Sequence, residues 1–430
     1  MKLLWFSHFV PFPPRGGGSQ RSYHLLRQAA KSHQVHLVAF NLRNYSPGDL
    51  AECASEFSKL GASVEFWQLP LRWESPLWWF RLLASPLSFN PYSCSSFWSR
   101  ELAKRWFQTI RRFRPDLIHF DSIDLALFEP ATRGLRKVLN HHNCESAMMD
   151  RRAENEPNRI KKLYLRSQAR KLYRMERILC PVFSVNLAVS EVDAAALRSR
   201  APRAHFHIVE NGTDTAYFVP TDAPSEPKSL IFTGSLDWYA NVSAMKFFRR
   251  EIWPLMKQQC PQVRLYLAGR KPTHSLVRWM RHDPNVVVVA DPEDIRPWLA
   301  RAAAFICPTV DGGGTRLKIL DALAMRKAVV STAIGCEGLQ VTHGENILVA
   351  DAPGKFAHEV LRVLENEALR QRLGAAGRTL VEKEYSWDVI GEHLEQAYRC
   401  AMDRGSCSQR IPGAQRPDPC TGYCTGRFPR

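Results

Sequence analysis

Residues 304–325 read AFICPTVDGGGTRLKILDALAM. Ala304–Cys307 is a short apolar, β-like run that Pro308 ends. Gly312, Gly313 and Gly314 then free the backbone to approach a ligand closely. The apolar spacing from Arg316 to Met325 predicts a helix, with Thr315 as its cap. A strand that ends in a glycine loop and opens a helix gathers unpaired N–H groups and the positive end of the helix dipole at one point, which suits an anion. Arg316 and Lys318 fall in the first helical turn. Like charge there is unfavourable by about a few tenths of a kcal/mol unless an anion is present. The plain alternative is a capped helix with a solvated basic face. Asp321, near one turn beyond Lys318, can accept hydrogen bonds from ligand hydroxyls.

The same rhythm extends in both directions. Upstream lie β-like runs at Ser229–Thr233, Arg264–Ala268 and Val286–Ala290, with helical stretches at Ser243–Leu255 and Ile295–Arg301. Downstream lie Val329–Ser331 and Asn346–Val349. The first half repeats the pattern with Leu3–Ser7, Val35–Phe40, Leu117–Phe120 and Val138–Asn140, and a helix over Ser22–Lys31. Strand, helix, strand at this spacing predicts parallel βαβ units. The polar, Pro-containing stretch Thr221–Pro227 separates the halves. The expectation is an α/β protein of two Rossmann-like doubly wound domains, residues 1–218 and 219–387.

Length agrees, since 430 residues at ~150 per domain make two to three domains. A hydrophobic fraction of 45% excludes wholesale disorder. No apolar run approaches the ~18 residues that span a bilayer. The first residues read as a strand rather than a secretory signal. A soluble, cytosolic protein is therefore expected. Cys144, Cys180, Cys260, Cys307 and Cys336 sit singly in apolar contexts and are expected to be buried, reduced thiols. Cys407, Cys420 and Cys424 lie in a basic tail, residues 404–430, that is expected to be disordered, with no paired spacing for zinc. The net charge of +17 is uneven. Residues 151–177 contribute +7 and the tail +4. Their basic face is expected to be solvated or to meet an anionic membrane, and no nucleic-acid module accompanies it. Trp73, Trp78, Trp79 and Phe80 crowd one short stretch. The last three would enter a membrane interface, stack on a sugar or pack in the core.

In open α/β sheets ligands bind beyond the carboxyl ends of the strands. Four such loops stand out: the 311–316 loop and three others. Gly17 and Gly18 follow the first strand, with Arg21 just after, and serve either close ligand approach or a flexible turn. Gly234, Ser235 and Asn241 follow the first strand of the second half and offer hydroxyl and amide groups without a cation. His141 and His142 stand beside Asn143 and Glu145, suited to acid–base work, hydroxyl recognition or a structural hydrogen bond. No convincing third ligand appears for a metal, so none is expected.

Together these elements resemble the GT-B fold glycosyltransferases, glycosyltransferase family 4 in particular, over about residues 1–402. The resemblance rests on the Gly-rich loop at 11–21, His142-Asn143-Cys144-Glu145, Val189-Ser190-Glu191, Asn211-Gly212-Thr213-Asp214, Phe232–Asn241, Leu267-Ala268-Gly269, Gly312–Asp321 and the turn Ser331–Leu339. It implies metal-independent transfer of a sugar, with retained configuration, from a nucleotide-diphosphate sugar to a hydroxyl of a glycan or lipid-linked acceptor. The donor would sit on the second domain and the acceptor on the first. A C-terminal helix, Glu384–Cys400 or about residues 388–403, would cross back to the first domain. No cofactor is implied beyond the donor substrate itself.

The departures from the family pattern are specific. Its two acidic residues, with seven residues between them, map to Gly313 and Asp321, so Asp311 is expected to reach the donor sugar instead. The Arg and Lys often found after the first strand of the second domain read Ser235 and Ala240 here. Arg316 and Lys318 are expected to replace them. The expected catalytic set is His142, Arg316 and Lys318. The donor-binding set is Gly17, Gly18, Gly234, Ser235, Asn241, Asp311, Gly312, Gly313, Gly314, Thr315 and Asp321. Two other readings stay open: a nucleotide-sugar epimerase on the same fold, and a catalytically inactive sugar-nucleotide scaffold in polysaccharide assembly.

Overall fold

The computed structural model describes residues 1–70, 82, 85–221, 224–313 and 315–404. Trp73, Trp78, Trp79, Phe80, Gly314 and the tail cysteines lie outside the described residues. The described residues form two compact units, one of residues 1–209 with 391–404, the other of Glu210–Ile390.

Among the described residues the first unit holds seven strands: β1 (Lys2–Ser7), β2 (Gln34–Phe40), β3 (Ser63–Trp67), β4 (Leu117–Phe120), β5 (Lys137–Asn140), β6 (Val185–Ala188) and β7 (Phe206–Ile208). They pair in parallel in the order β3-β2-β1-β4-β5-β6-β7. Every residue of β4, β5 and β6 is buried. That is the burial expected of a parallel sheet covered on both faces, with His119, Lys137, Asn140 and Asn186 as buried polar residues within it. Its helices are α1 (Gly17–Ala30), α2 (Pro47–Lys59), α3 (Tyr92–Phe97), α4 (Arg100–Phe113), α5 (Glu145–Glu154), α6 (Arg159–Leu179) and α7 (Glu191–Arg200). Phe6 anchors one face of the core, stacked on Trp106 at 4.1 Å and edge-on to Phe120 and Phe128.

The second unit pairs β8 (Glu226–Thr233), β9 (Arg264–Gly269), β10 (Val286–Ala290), β11 (Ala302–Cys307), β12 (Ala328–Ser331) and β13 (Leu348–Val349) in the order β10-β9-β8-β11-β12-β13, all parallel. Its helices are α8 (Tyr239–Phe247), α9 (Trp253–Gln259), α10 (His274–His282), α11 (Arg296–Arg301), α12 (Leu317–Ala324), α13 (Pro353–Glu365) and α14 (Glu367–Glu384). Strand order reverses between β1 and β4 in the first unit and between β8 and β11 in the second. The loops after those strands are where such sheets hold ligands.

Several elements differ from the sequence expectation. Helix α1 begins at Gly17, five residues before the expected start, so Gly17 and Gly18 form its first turn rather than a loop. The basic stretch 151–177 is two helices, broken at residues 155–158 around Pro157. The helix expected over Ser243–Leu255 is α8, a π turn at Phe248–Ile252 and α9. Pro254, with no N–H, stands just after that wider turn. Residues 210–218 belong with the second unit because their side chains and carbonyls bond into it. Asn211 Nδ2 donates to Thr315 Oγ1 at 3.2 Å, and the Phe218 carbonyl accepts from Arg378 at 2.6 Å. The last helix, α15 (Trp387–Arg404), starts in the second unit and ends in the first. Tyr398 OH lies 2.9 Å from His119 Nδ1 there.

One glycine pair sets how closely the second unit's central strands end. A Cβ on Gly269, at φ +159°, would lie 1.7 Å from the Gly234 carbonyl oxygen. Gly269→Ala therefore must displace backbone, and is expected to destabilise the unit by about 2–4 kcal/mol, read as a lowered urea midpoint with unchanged slope.

Candidate functional site

The loop after β8 turns at Gly234, whose φ of +137° favours glycine. Asn241, in the first turn of α8, donates through Nδ2 to the Ser235 carbonyl at 2.8 Å and closes that loop. Its Oδ1 accepts from Lys318 Nζ at 2.7 Å. The same ammonium lies 3.9 Å from the centroid of the buried Phe232 ring. A Cβ on Gly234 would come within 3.0 Å of it. Loss of water lowers the Lys318 pKa to about 8, and the nearby Arg316 adds to the effect.

The loop after β11 presents a second cation. Arg316 is the N-cap residue of α12, without a side-chain cap bond, and its Nη1 donates to the Gly313 carbonyl. The expected capping by Thr315 is not found. Thr315 Oγ1 accepts from Asn211 instead. Gly312, at φ +106°, passes so close to Ala240 that an added Cβ would lie 3.1 Å from the alanine methyl. Asp311 is buried, and its Oδ1 accepts the Gly312 N–H at 2.6 Å. It thus braces the loop. Asp321 Oδ1 accepts from Thr213 Oγ1 at 2.6 Å. Burial raises the Asp321 pKa to about 7, while the Thr213 hydrogen bond opposes the shift. Asn211 and Thr213 had no assigned role in the sequence reading. Their partners stand more than a hundred residues away, so the motif at 211–214 was visible in the sequence but these contacts were not.

His142, Gly17 and Gly18 belong to the first unit, while Gly234, Ser235, Asn241, Asp311, Gly312, Gly313, Thr315, Arg316, Lys318 and Asp321 gather in the second. His142 Nε2 lies 2.8 Å from the Asp121 carbonyl oxygen. Since that oxygen only accepts, Nε2 carries the proton. Nδ1 is then the acceptor, and it lies 3.9 Å from where a Gly18 Cβ would stand, beside the first turn of α1. Burial lowers the His142 pKa and the Asp121 charge partly restores it.

Asp121, which sequence reasoning missed, is the hub of this unit. Its Oδ2 accepts from Ser7 Oγ at 2.9 Å and Ser22 Oγ at 2.7 Å, and its Oδ1 from Asn140 Nδ2 at 3.0 Å. Asn140 Oδ1 in turn accepts from the buried Arg21 guanidinium at 2.8 and 3.1 Å. A carboxylate directly after the apolar run of β4 was the available signal. The adjacent pair His141 and His142 does not form a donor set, since His141 Nε2 meets Asn186 Oδ1; instead, nitrogen and oxygen atoms of His8, Asp121 and His142 lie within 4.8 Å of one another. Two imidazoles and a carboxylate are a donor set that metals use. Here both Asp121 oxygens already accept hydrogen bonds and His142 Nε2 is committed to a carbonyl, so the residues fit a hydrogen-bonded hub better than a cation.

Two sequence families match this chain. The glycosyl transferases group 1 pattern covers residues 227–366, and the Glycosyltransferase Family 4 pattern covers residues 15–217. The chain belongs to the group 1, family 4 glycosyltransferases. Phosphatidyl-myo-inositol mannosyltransferase of Mycobacterium tuberculosis is 23% identical over 211 residues, 46% of this chain and 55% of that one. An uncharacterised 44.6 kDa protein in the cps region of Klebsiella pneumoniae is 23% identical over 164 residues, 36% of this chain and 42% of that one. The chain thus spans about half the length of these curated relatives. HepE of Anabaena, solved in complex with UDP, superposes with a TM-score of 0.65 at 14% identity, covering 93% of this chain and 100% of that one. The two parallel sheets are those of the GT-B fold. Among the described residues no helix is long and apolar enough to cross a membrane.

The tautomer assigned to His142 is testable. Its Nε2-protonated ring should appear as such in long-range ¹H–¹⁵N NMR spectra and titrate below pH 6.5. Asp121→Asn removes the charge that raises this pKa, so the midpoint should move further down.

Proposed function

We propose that this protein is a retaining hexosyltransferase. It moves a sugar from a nucleotide-diphosphate sugar to a hydroxyl of a glycan or lipid-linked acceptor, in surface polysaccharide or glycoconjugate synthesis. The observation that carries the reading is Lys318, an ammonium shielded from water and held by two neutral groups, Asn241 Oδ1 and the Phe232 ring. Such a cation is poised for an anion that arrives with the substrate. The relatives' names, a mannosyltransferase and a product of a cps region, support a sugar and a cell-surface product.

In this reading the second unit holds the donor. The diphosphate lies against Lys318, Arg316 and the N–H groups of Gly313 and Thr315, which stabilise the charge that develops as the glycosidic bond to phosphate breaks. Asp321, oriented by Thr213, accepts from the ribose hydroxyls. The first unit receives the acceptor, with the neutral His142 offering Nδ1 to a substrate hydroxyl. Protein cations carry out the leaving-group stabilisation without a metal. The protein works in the cytoplasm, peripheral to the inner face of the membrane.

Lys318→Ala should melt close to the wild type yet lose turnover and the thermal shift given by UDP, GDP or ADP and their sugar conjugates. A loss of one charge-assisted contact corresponds to roughly 1.5–3 kcal/mol, about ten- to hundredfold in affinity. Transfer at the wild-type rate would overturn the assignment.

The pH dependence follows from the two shifted groups. Lys318 loses its proton as pH rises through about 8, and Asp321 gains one as pH falls through about 7. Nucleotide affinity should therefore peak between roughly pH 7 and 8 and fall on both sides, by up to about tenfold per pH unit. Calorimetry across pH 5.5–9.5 reads this directly; a flat profile would dissociate both groups from the ligand.

One observation favours a second reading. Gly313 stands where the family carries an acid, and its carbonyl is engaged by Arg316. An inactive sugar-nucleotide scaffold would bind nucleotide and transfer to no acceptor. An epimerase would convert donor alone in an NMR time course.

A further inference from the structure

Helix α6 carries eight Lys or Arg and a single acid, Glu176. Glu176 is fully buried and accepts from the Ser146 N–H at 2.9 Å, so the outward face holds no negative charge. Leu163, Arg166, Arg170, Arg174 and Arg177 follow one another at helical spacing and are all exposed. Among the described residues none of these four arginines has an ion-pair partner. A helix face adapted only to water mixes both signs of charge.

The segment after residue 84 is fastened to this helix. Lys171 Nζ donates to the Pro86 carbonyl at 3.2 Å, Ser85 Oγ meets Tyr164 OH at 3.2 Å, and the Tyr92 N–H donates to Gln168 Oε1 at 2.9 Å. It presents Leu87, 88% exposed, and Phe89, 70% exposed. On α6, Ile160 is 84% and Leu163 70% exposed. These four are the most exposed large hydrophobic side chains among the described residues, and all four belong to this one part of the first unit. Scattered exposed apolar residues need no explanation, but a cluster ringed by one sign of charge marks an interaction surface.

We propose that the outer face of α6, together with Leu87 and Phe89, docks on an anionic lipid bilayer. Ile160, Leu163, Leu87 and Phe89 enter the interfacial region while the arginines meet lipid phosphates. Charge complementarity selects this occupant. A second copy of the same face would bring arginine against arginine, whereas an anionic bilayer answers the four arginines and takes the apolar side chains as well; Lys161 is already paired with Glu156. The inference deepens the peripheral-membrane part of the proposed function and does not depend on the donor chemistry.

The test is co-sedimentation of the full chain with phosphatidylcholine vesicles, with and without phosphatidylglycerol, at low and high salt. The wild type should bind only the phosphatidylglycerol vesicles. The triple variant Arg166→Ser, Arg170→Ser, Arg174→Ser should bind them on the order of a hundredfold more weakly, at ~1 kcal/mol per residue. Leu87→Ser with Phe89→Ser should keep binding at low salt and lose it at high salt. Melting curves with and without UDP, GDP or ADP, run on every variant, show that each is folded and read the donor site separately. Undiminished binding by the triple variant overturns the proposal. So does equal binding to neutral vesicles, or a self-association that the variants abolish without any vesicle binding. Absence of a shift with UDP, GDP and ADP alike, with intact vesicle binding, would instead overturn the donor reading alone.

Discussion

Lys318 holds its ammonium 2.7 Å from Asn241 Oδ1 and over the face of Phe232, and its electrostatic neighbours are Cys307 and Arg316 rather than a carboxylate. An ammonium shielded from water and compensated only by neutral groups is costly, which is why its proton is loosely held. The second unit is arranged to make that position available. Gly234 has no Cβ to occupy the space beside Nζ, and Gly269 lets β9 end against the Gly234 carbonyl. Gly312 lets the next loop close onto Ala240. Each glycine is required by a specific near-contact, and together they bring two strand ends and one helix start around a single charge.

The first unit treats its buried cation differently. Arg21 also bonds an asparagine carbonyl oxygen, but the amide of that Asn140 passes the interaction on to Asp121, so a negative charge completes the chain. Ser7 and Ser22 saturate the other oxygen of the same carboxylate. The result is a carboxylate whose two oxygens are both satisfied within the protein, with His142 held at its edge in one tautomer. One sheet thus ends in a closed network and the other in a charge that asks for a ligand. The contrast supports the proposal that the second unit takes the anion and the first the acceptor hydroxyl.

Much of this was legible in the sequence. The runs Leu117–Phe120 and Val286–Ala290 coincide with whole strands: the first is wholly buried, as in a sheet covered on both faces, and the second is a partly buried edge strand rich in β-branched valine. The glycine loop and the cations after Cys307 were visible for the same reason of locality. Strands β3, β6 and β7 escaped notice: β3 and β7 are only partly buried and short, and β6 mixes Asn186 into its run. The capping of α12 was misread because Thr315 finds a distant partner in Asn211, and distant partners outrank local propensity.

The sequence by itself determined the class of fold, the two-part organisation and the segment around Lys318. Each depends on composition and spacing within about a dozen residues. Only the tertiary structure decided that Asn241 shares the Lys318 proton, that Thr213 orients Asp321 and that Asp121 sets the tautomer of His142. Those pairs are separated by 77, 108 and 21 residues. Their chemistry depends on distance and on exclusion of water, and both arise when parallel strands bring the ends of remote segments to the same edge of a sheet.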